Sequence, residues 1–124
     1  MKPTILLYHL PEGERLLKIK KALFPLGMKI RAVKKEEYLE PVGYLAGVKE
    51  ITSCGEIYDG EDFEKEMMVM AGLTSGQVDR VILALRKAGA GRIDYKAVLT
   101  PTNQNWNALK LYEELAGEHA RMNQ

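Results

Sequence analysis

Short apolar runs alternating with amphipathic stretches predict an α/β fold: a small, mostly parallel four-stranded sheet flanked by helices, in the order βαβ(α)βαβα. Two runs, residues 4–10 and 67–71, are apolar at successive positions, as in strands covered on both faces. Each run leads into a stretch of helical period. The length, 124 residues and 14.0 kDa, fits one domain over 1–124 with a single hydrophobic core. The pattern leaves one alternative open, a ferredoxin-like α+β arrangement with helices on one face and residues 34–64 as an insertion.

The first strand, Thr4 to Leu10, is closed by Pro11, Glu12 and Gly13. Leu16, Ile19 and Leu23 then recur at helical spacing, and Pro25 and Gly27 end that helix. In residues 28–33, Ile30 and Ala32 alternate with Lys29 and Arg31, the pattern of an edge strand open to pairing with a second copy. Pro41 breaks or begins a short helix containing Val42 and Leu45. Residues 48–65 have no sustained period and read as an irregular segment.

Met67 to Ala71 is the third strand. Thr74 and Gln77 form a capping box for a helix whose stripe is Val78, Val81, Ile82 and Leu85; Gly89 and Gly91 stop it. Tyr95 to Thr100 is the fourth strand. Pro101, Thr102 and Asn103 are expected to start the last helix, with Ala108, Leu111, Tyr112, Leu115 and His119 on its core side. No internal repeat stands out beyond two strand–helix–strand units.

Composition narrows the functional classes. Hydrophobic residues at 46% and charged residues at 28% argue against a disordered chain. Eighteen basic against seventeen acidic residues leave a net charge of +1, with no broad electrostatic reason to hold nucleic acid or an anionic membrane. One cysteine, Cys54, excludes an internal disulfide framework, and with two histidines a dedicated metal centre is not expected. No cofactor motif is present. No export signal or spanning segment is visible, so a reduced cytoplasmic setting is expected.

In an open α/β sheet, ligands collect beyond the carboxyl ends of the strands. Three turns fall there: His9 to Glu14, Gly72 to Gly76, and Thr100 to Asn103. Gly72, Thr74, Ser75, Gly76, Thr100, Thr102 and Asn103 would bring hydroxyls and free amides to two helix N-termini, where an anion is favoured. The same residues are also ordinary capping and turn chemistry. Lys96, inside the fourth strand, would meet an anion if it faces a cleft. Trp106, four residues beyond Thr102, would stack on a planar group or pack beneath the loop.

His9 would be the acid or base of any enzyme here, oriented by Glu12 or Glu14. Cys54 has no histidine near it in sequence and is a poor candidate nucleophile. The acidic residues Asp59, Glu61, Asp62, Glu64 and Glu66 do not follow an EF-hand order and read as a solvated loop. A phosphoacceptor receiver lacks its Asp after the third strand, and a thioredoxin lacks its C-x-x-C.

The run Lys96-Ala97-Val98-Leu99-Thr100-Pro101-Thr102-Asn103, with Trp106 and then Leu111-Tyr112-Glu113-Glu114-Leu115, resembles the C-terminal signature of the domain-of-unknown-function 3783 family. Met67 to Gly91 agrees with it. The resemblance implies a small bacterial protein and carries no established activity. The expected function is therefore a non-enzymatic domain that binds a small anion or an acidic partner, regulatory in character. The alternative is a small enzyme acting on a phosphorylated metabolite with His9 as acid or base. A third reading is an oligomeric scaffold joined through the edge strand.

Overall fold

The computed structural model describes residues 1–122. Four strands form one sheet: β1 (Thr4–Tyr8), β2 (Lys29–Val33), β3 (Met67–Ala71) and β4 (Tyr95–Val98), ordered β2-β1-β3-β4. β1 runs parallel to β2 and β3 parallel to β4, but the central pair β1 and β3 is antiparallel, with Thr4 opposite Ala71 and Tyr8 opposite Met67. The fold is α/β, mostly parallel with one antiparallel pair. Helices cover both faces, so the one-faced ferredoxin-like alternative is excluded.

The period of two along the strands assigns the two faces. Ile5, Leu7, Met68 and Met70 pack with α1 (Glu14–Leu23) and α3 (Ser75–Lys87). Leu6, Tyr8, Met67, Val69 and Ala71 pack with α2 (Val42–Ala46) and α4 (Ala108–Met122). β1 and β3 are buried on both faces, which is why neither alternates in sequence. β2, which does alternate, is an edge strand as expected.

The two halves repeat one plan. Strand, helix, parallel strand, 3₁₀ turn and helix run from Thr4 to Ala46 and again from Met67 to Met122. The halves meet along β1 and β3, and a second time at an isolated bridge between Pro41 and Asn107. Val42 N–H donates to the Trp106 carbonyl, and Ala108 N–H donates to that of Tyr38. The repetition is one of architecture, invisible as a repeat in the residues themselves.

Local signals act largely as expected. Pro41 precedes α2 and left-handed Gly47 closes it. Thr74 and Gln77 make both bonds of the capping box, at 3.2 and 2.8 Å. The last helix, however, starts at Ala108 instead of Pro101–Asn103. Thr100 and Asn103 close on each other in a tight turn, through Asn103 Oδ1 to Thr100 N–H and Thr100 Oγ1 to Asn103 N–H. Trp106 is then extended, the bridge to Pro41 fixes Asn107, and Asn107 Oδ1 accepts from Lys110 N–H as the true cap.

Residues 48–65 have no helix or strand, yet aromatic contacts hold them down. Phe63 is stacked between Tyr38 and Tyr112, with ring centroids 4.4 and 4.1 Å away, one neighbour from each half. Tyr58 stacks on the same Tyr38 at 5.8 Å. Phe63→Ala should cost roughly 3–5 kcal/mol, read as a shift of the urea midpoint. Tyr8 gives the opposite case. Its side chain is fully buried and its hydroxyl has no hydrogen-bond partner. Tyr8→Phe should therefore stabilise the fold by about 1 kcal/mol in the same experiment.

Candidate functional site

Because β3 and β4 are parallel, the turns that follow them leave the sheet at the same edge. There they border one hollow of about 610 Å³, with Gly72, Thr100, Pro101 and Gln104 on one side and Val48, Lys49 and Glu50 on the other. Gly72 has φ 74°, a left-handed turn, and a Cβ there would lie 2.7 Å from Met1 Cγ. The backbone conformation favours glycine, whereas the Met1 side chain is exposed and could move aside.

The other polar groups of this rim are largely turned inward. The Thr74 hydroxyl serves the capping box. Asn103, 8% exposed, bonds Thr100 and donates from Nδ2 to the Val98 carbonyl at 3.1 Å. Ser75 and Gly76 are exposed in the first turn of α3, and Thr102 is exposed and caps nothing. Pro101–Asn103 do not form the second helix N-terminus expected here, because α4 begins at Ala108, five residues beyond Asn103.

Lys96, Thr100, Asn103 and Trp106 border a separate groove of about 330 Å³ between β4 and α4. Glu114 and Glu118 face it too, so that groove disfavours an anion. Trp106 is half-buried against the core, and Lys110 Nζ lies 5.3 Å from its ring centroid. Its expected placement beside Thr102 on the last helix is corrected: both precede that helix. Sequence reasoning missed Lys49 and Glu50, which lie just beyond α2 in a stretch without any periodic signal.

His9 is at the opposite edge. It follows Tyr8, which pairs with the first residue of β3, whereas Gly72 follows the last. The separation is the length of a five-residue strand, ~16 Å. The three turns expected to converge are thus two and one. His9 is the only described non-glycine with positive φ, 61°. Its Nδ1 lies 3.1 Å from Asp62 Oδ2, so Asp62 takes the orienting place expected of Glu12 or Glu14. Asp62 also accepts from Tyr38 Oη at 2.6 Å and Phe63 N–H at 2.7 Å.

These contacts set the charge states. Burial raises the Asp62 carboxyl, but the bonds from Tyr38 and Phe63 and the His9 ring together hold it below its usual range. Burial, reinforced by Asp62, pushes the Tyr38 phenol well above its own. At Cys54 the Glu56 N–H favours the thiolate, but Glu40 and burial outweigh it and the thiol is raised. That is the reverse of an activated nucleophile. His119 packs edge-on against Tyr95 at 4.7 Å.

The architecture defines a two-unit α/β domain with a mixed sheet. Residues 66–122 match the family model described as a domain of unknown function (DUF3783). The match spans one of the two units. No curated protein and no solved structure matches the chain. No helix of the described residues is long and apolar enough to cross a membrane.

The Asp62 cluster has a pH signature. A carboxyl held low in the folded protein contributes stability above its unfolded value, ~4, and loses it as pH falls through the lower folded value. The urea midpoint of the wild type should exceed that of Asp62→Asn at neutral pH, with the two converging in acid. Parallel curves down to the lowest pH would show that the pair is not coupled to folding.

Proposed function

We propose that the protein is a non-enzymatic domain that binds a small anion in the hollow between Gly72, Thr100 and Lys49. One observation carries this reading: two turns 28 residues apart, joined by α3 and β4, close on a common hollow with a lysine from the other half across from them. The exposed start of α3 adds amides and the positive end of a helix dipole nearby. Glu50 stands beside Lys49 and the start of α3 lies outside the lining, so capture rests mainly on one ammonium group, which suits a compact anion.

An acidic side chain of a partner protein would satisfy the same hollow, giving the interaction or regulatory version of the reading. The enzymatic alternative draws on the His9–Asp62 pair, which leaves Nε2 for acid–base work. Its substrate would have to reach His9 without the two loops, which stand at the other edge.

Thermal-shift titration with inorganic phosphate and phosphorylated metabolites tests the proposal. A ligand bound at a hundred times its Kd stabilises by about 2.7 kcal/mol, a readily measured shift. Lys49→Glu should abolish that shift with little change in the ligand-free melting temperature, while His9→Gln should retain it. A response untouched by Lys49→Glu would remove the hollow as its source.

A further inference from the structure

At the far end of α3 from this hollow, the connection to β4 encloses a cleft of about 520 Å³. That is within the usual size of small-molecule sites, about 300–1,000 Å³. Its walls are apolar, from Ile82, Leu85 and Ile93, and Arg86, Arg92 and Lys96 bring three cations to it. Among the described residues none of the three has a carboxylate within ion-pair distance. Lys96 Nζ donates only to the Ile93 carbonyl, at 3.0 Å. Its ammonium is held below the ordinary lysine range by burial and then by Arg92, with Asp94 opposing.

The loop that carries Arg92 is fixed in advance. Arg15 reaches across from α1, donating from Nε to the Ala90 carbonyl at 2.7 Å and from Nη2 to the Arg92 carbonyl at 2.8 Å. Its remaining nitrogen, Nη1, pairs with Glu66. A ligand entering here would not have to order the loop, which lowers the cost of binding. The helices α1 and α3 carry seven basic against two acidic residues, so the surrounding surface also favours a negative charge.

We infer that this cleft is a second binding site, for an amphipathic anion: a carboxylate or phosphate head held by Arg86, Arg92 and Lys96, with an apolar tail along Ile82, Leu85 and Ile93. The head supplies the missing counter-charge. The tail removes apolar wall from water, which a bare anion cannot do.

The test titrates decanoate, decyl phosphate, decanol and inorganic phosphate into the full-length protein, below micelle formation, following amide chemical shifts. Decanoate or decyl phosphate should shift amides of residues 82–96, and the tighter of the two identifies the head. Decanol and inorganic phosphate should each bind at least roughly tenfold more weakly. The double variant Arg92→Gln, Lys96→Gln should lose a similar factor while keeping its fold, since Arg15 holds the loop by its backbone.

Equal binding of decanol would leave only an apolar surface, and equal binding of inorganic phosphate only a bare anion site. Unchanged affinity in the double variant would remove the cations. Any of these overturns the inference. Lys49→Glu separates the two sites: it should leave decanoate binding intact, and a loss there would move the ligand to the Gly72 hollow and overturn the assignment.

Discussion

The antiparallel pairing of β1 with β3 is the constraint on which the rest depends. Were these strands parallel, every turn after a strand would open at one edge, and His9 would stand beside Gly72. With Tyr8 opposite Met67, the turns that follow strands segregate, those of one half to each edge. The same pairing explains the irregular segment. α2 ends at the Gly72 edge, where Lys49 and Glu50 line the hollow, but β3 begins at the His9 edge. The chain must travel the full length of the sheet between them. It does so over the α2/α4 face, with Tyr58 and Phe63 stacked into the aromatic row that both halves supply.

What could be read from the sequence was local. Continuous apolar runs, the capping box at Thr74 and the breaks at Pro41 and Gly27 each act within a few residues, and each placed its element. Strand direction is not local. A strand buried on both faces shows the same apolar run whether its neighbour is parallel or antiparallel, so the pattern of β1 and β3 carried no trace of their pairing. The start of α4 escaped for a related reason. Pro101-Thr102-Asn103 is a sound helix opening by composition, and it was overridden by the bridge between Pro41 and Asn107.

The candidate site divides in the same way. Gly72 and Thr100 are turn residues, visible as such, and the shared direction of β3 and β4 brings them together. Lys49 and Arg15 had no signal, because each acts on a segment of the other half. Charge was hidden by cancellation: the overall +1 conceals ten acidic against four basic residues in 34–66, set against the basic helices of the opposite face. His9 shows what the repeated plan adds. It occupies the left-handed position that glycine holds after β3. A non-glycine there is strained, and the contact with Asp62 is the interaction available to offset that strain.

The two halves also differ in a way that bears on binding. Between helix and second strand the first half has five residues, 24–28, and the second has seven, 88–94. The shorter connection turns tightly at Pro25 and Gly27. The longer one, bonded back to its helix from Ala90 N–H to the Leu85 carbonyl, borders the space lined by Ile82, Leu85 and Ile93. A loop of that kind would ordinarily be the least fixed part of such a unit. Here Arg15, from the other half, holds two of its carbonyls and is itself held by Glu66 at the threshold of β3. The cleft is therefore a property of both halves together: residues 66–122 provide its walls and its cations, and the first half provides the clamp that keeps it open.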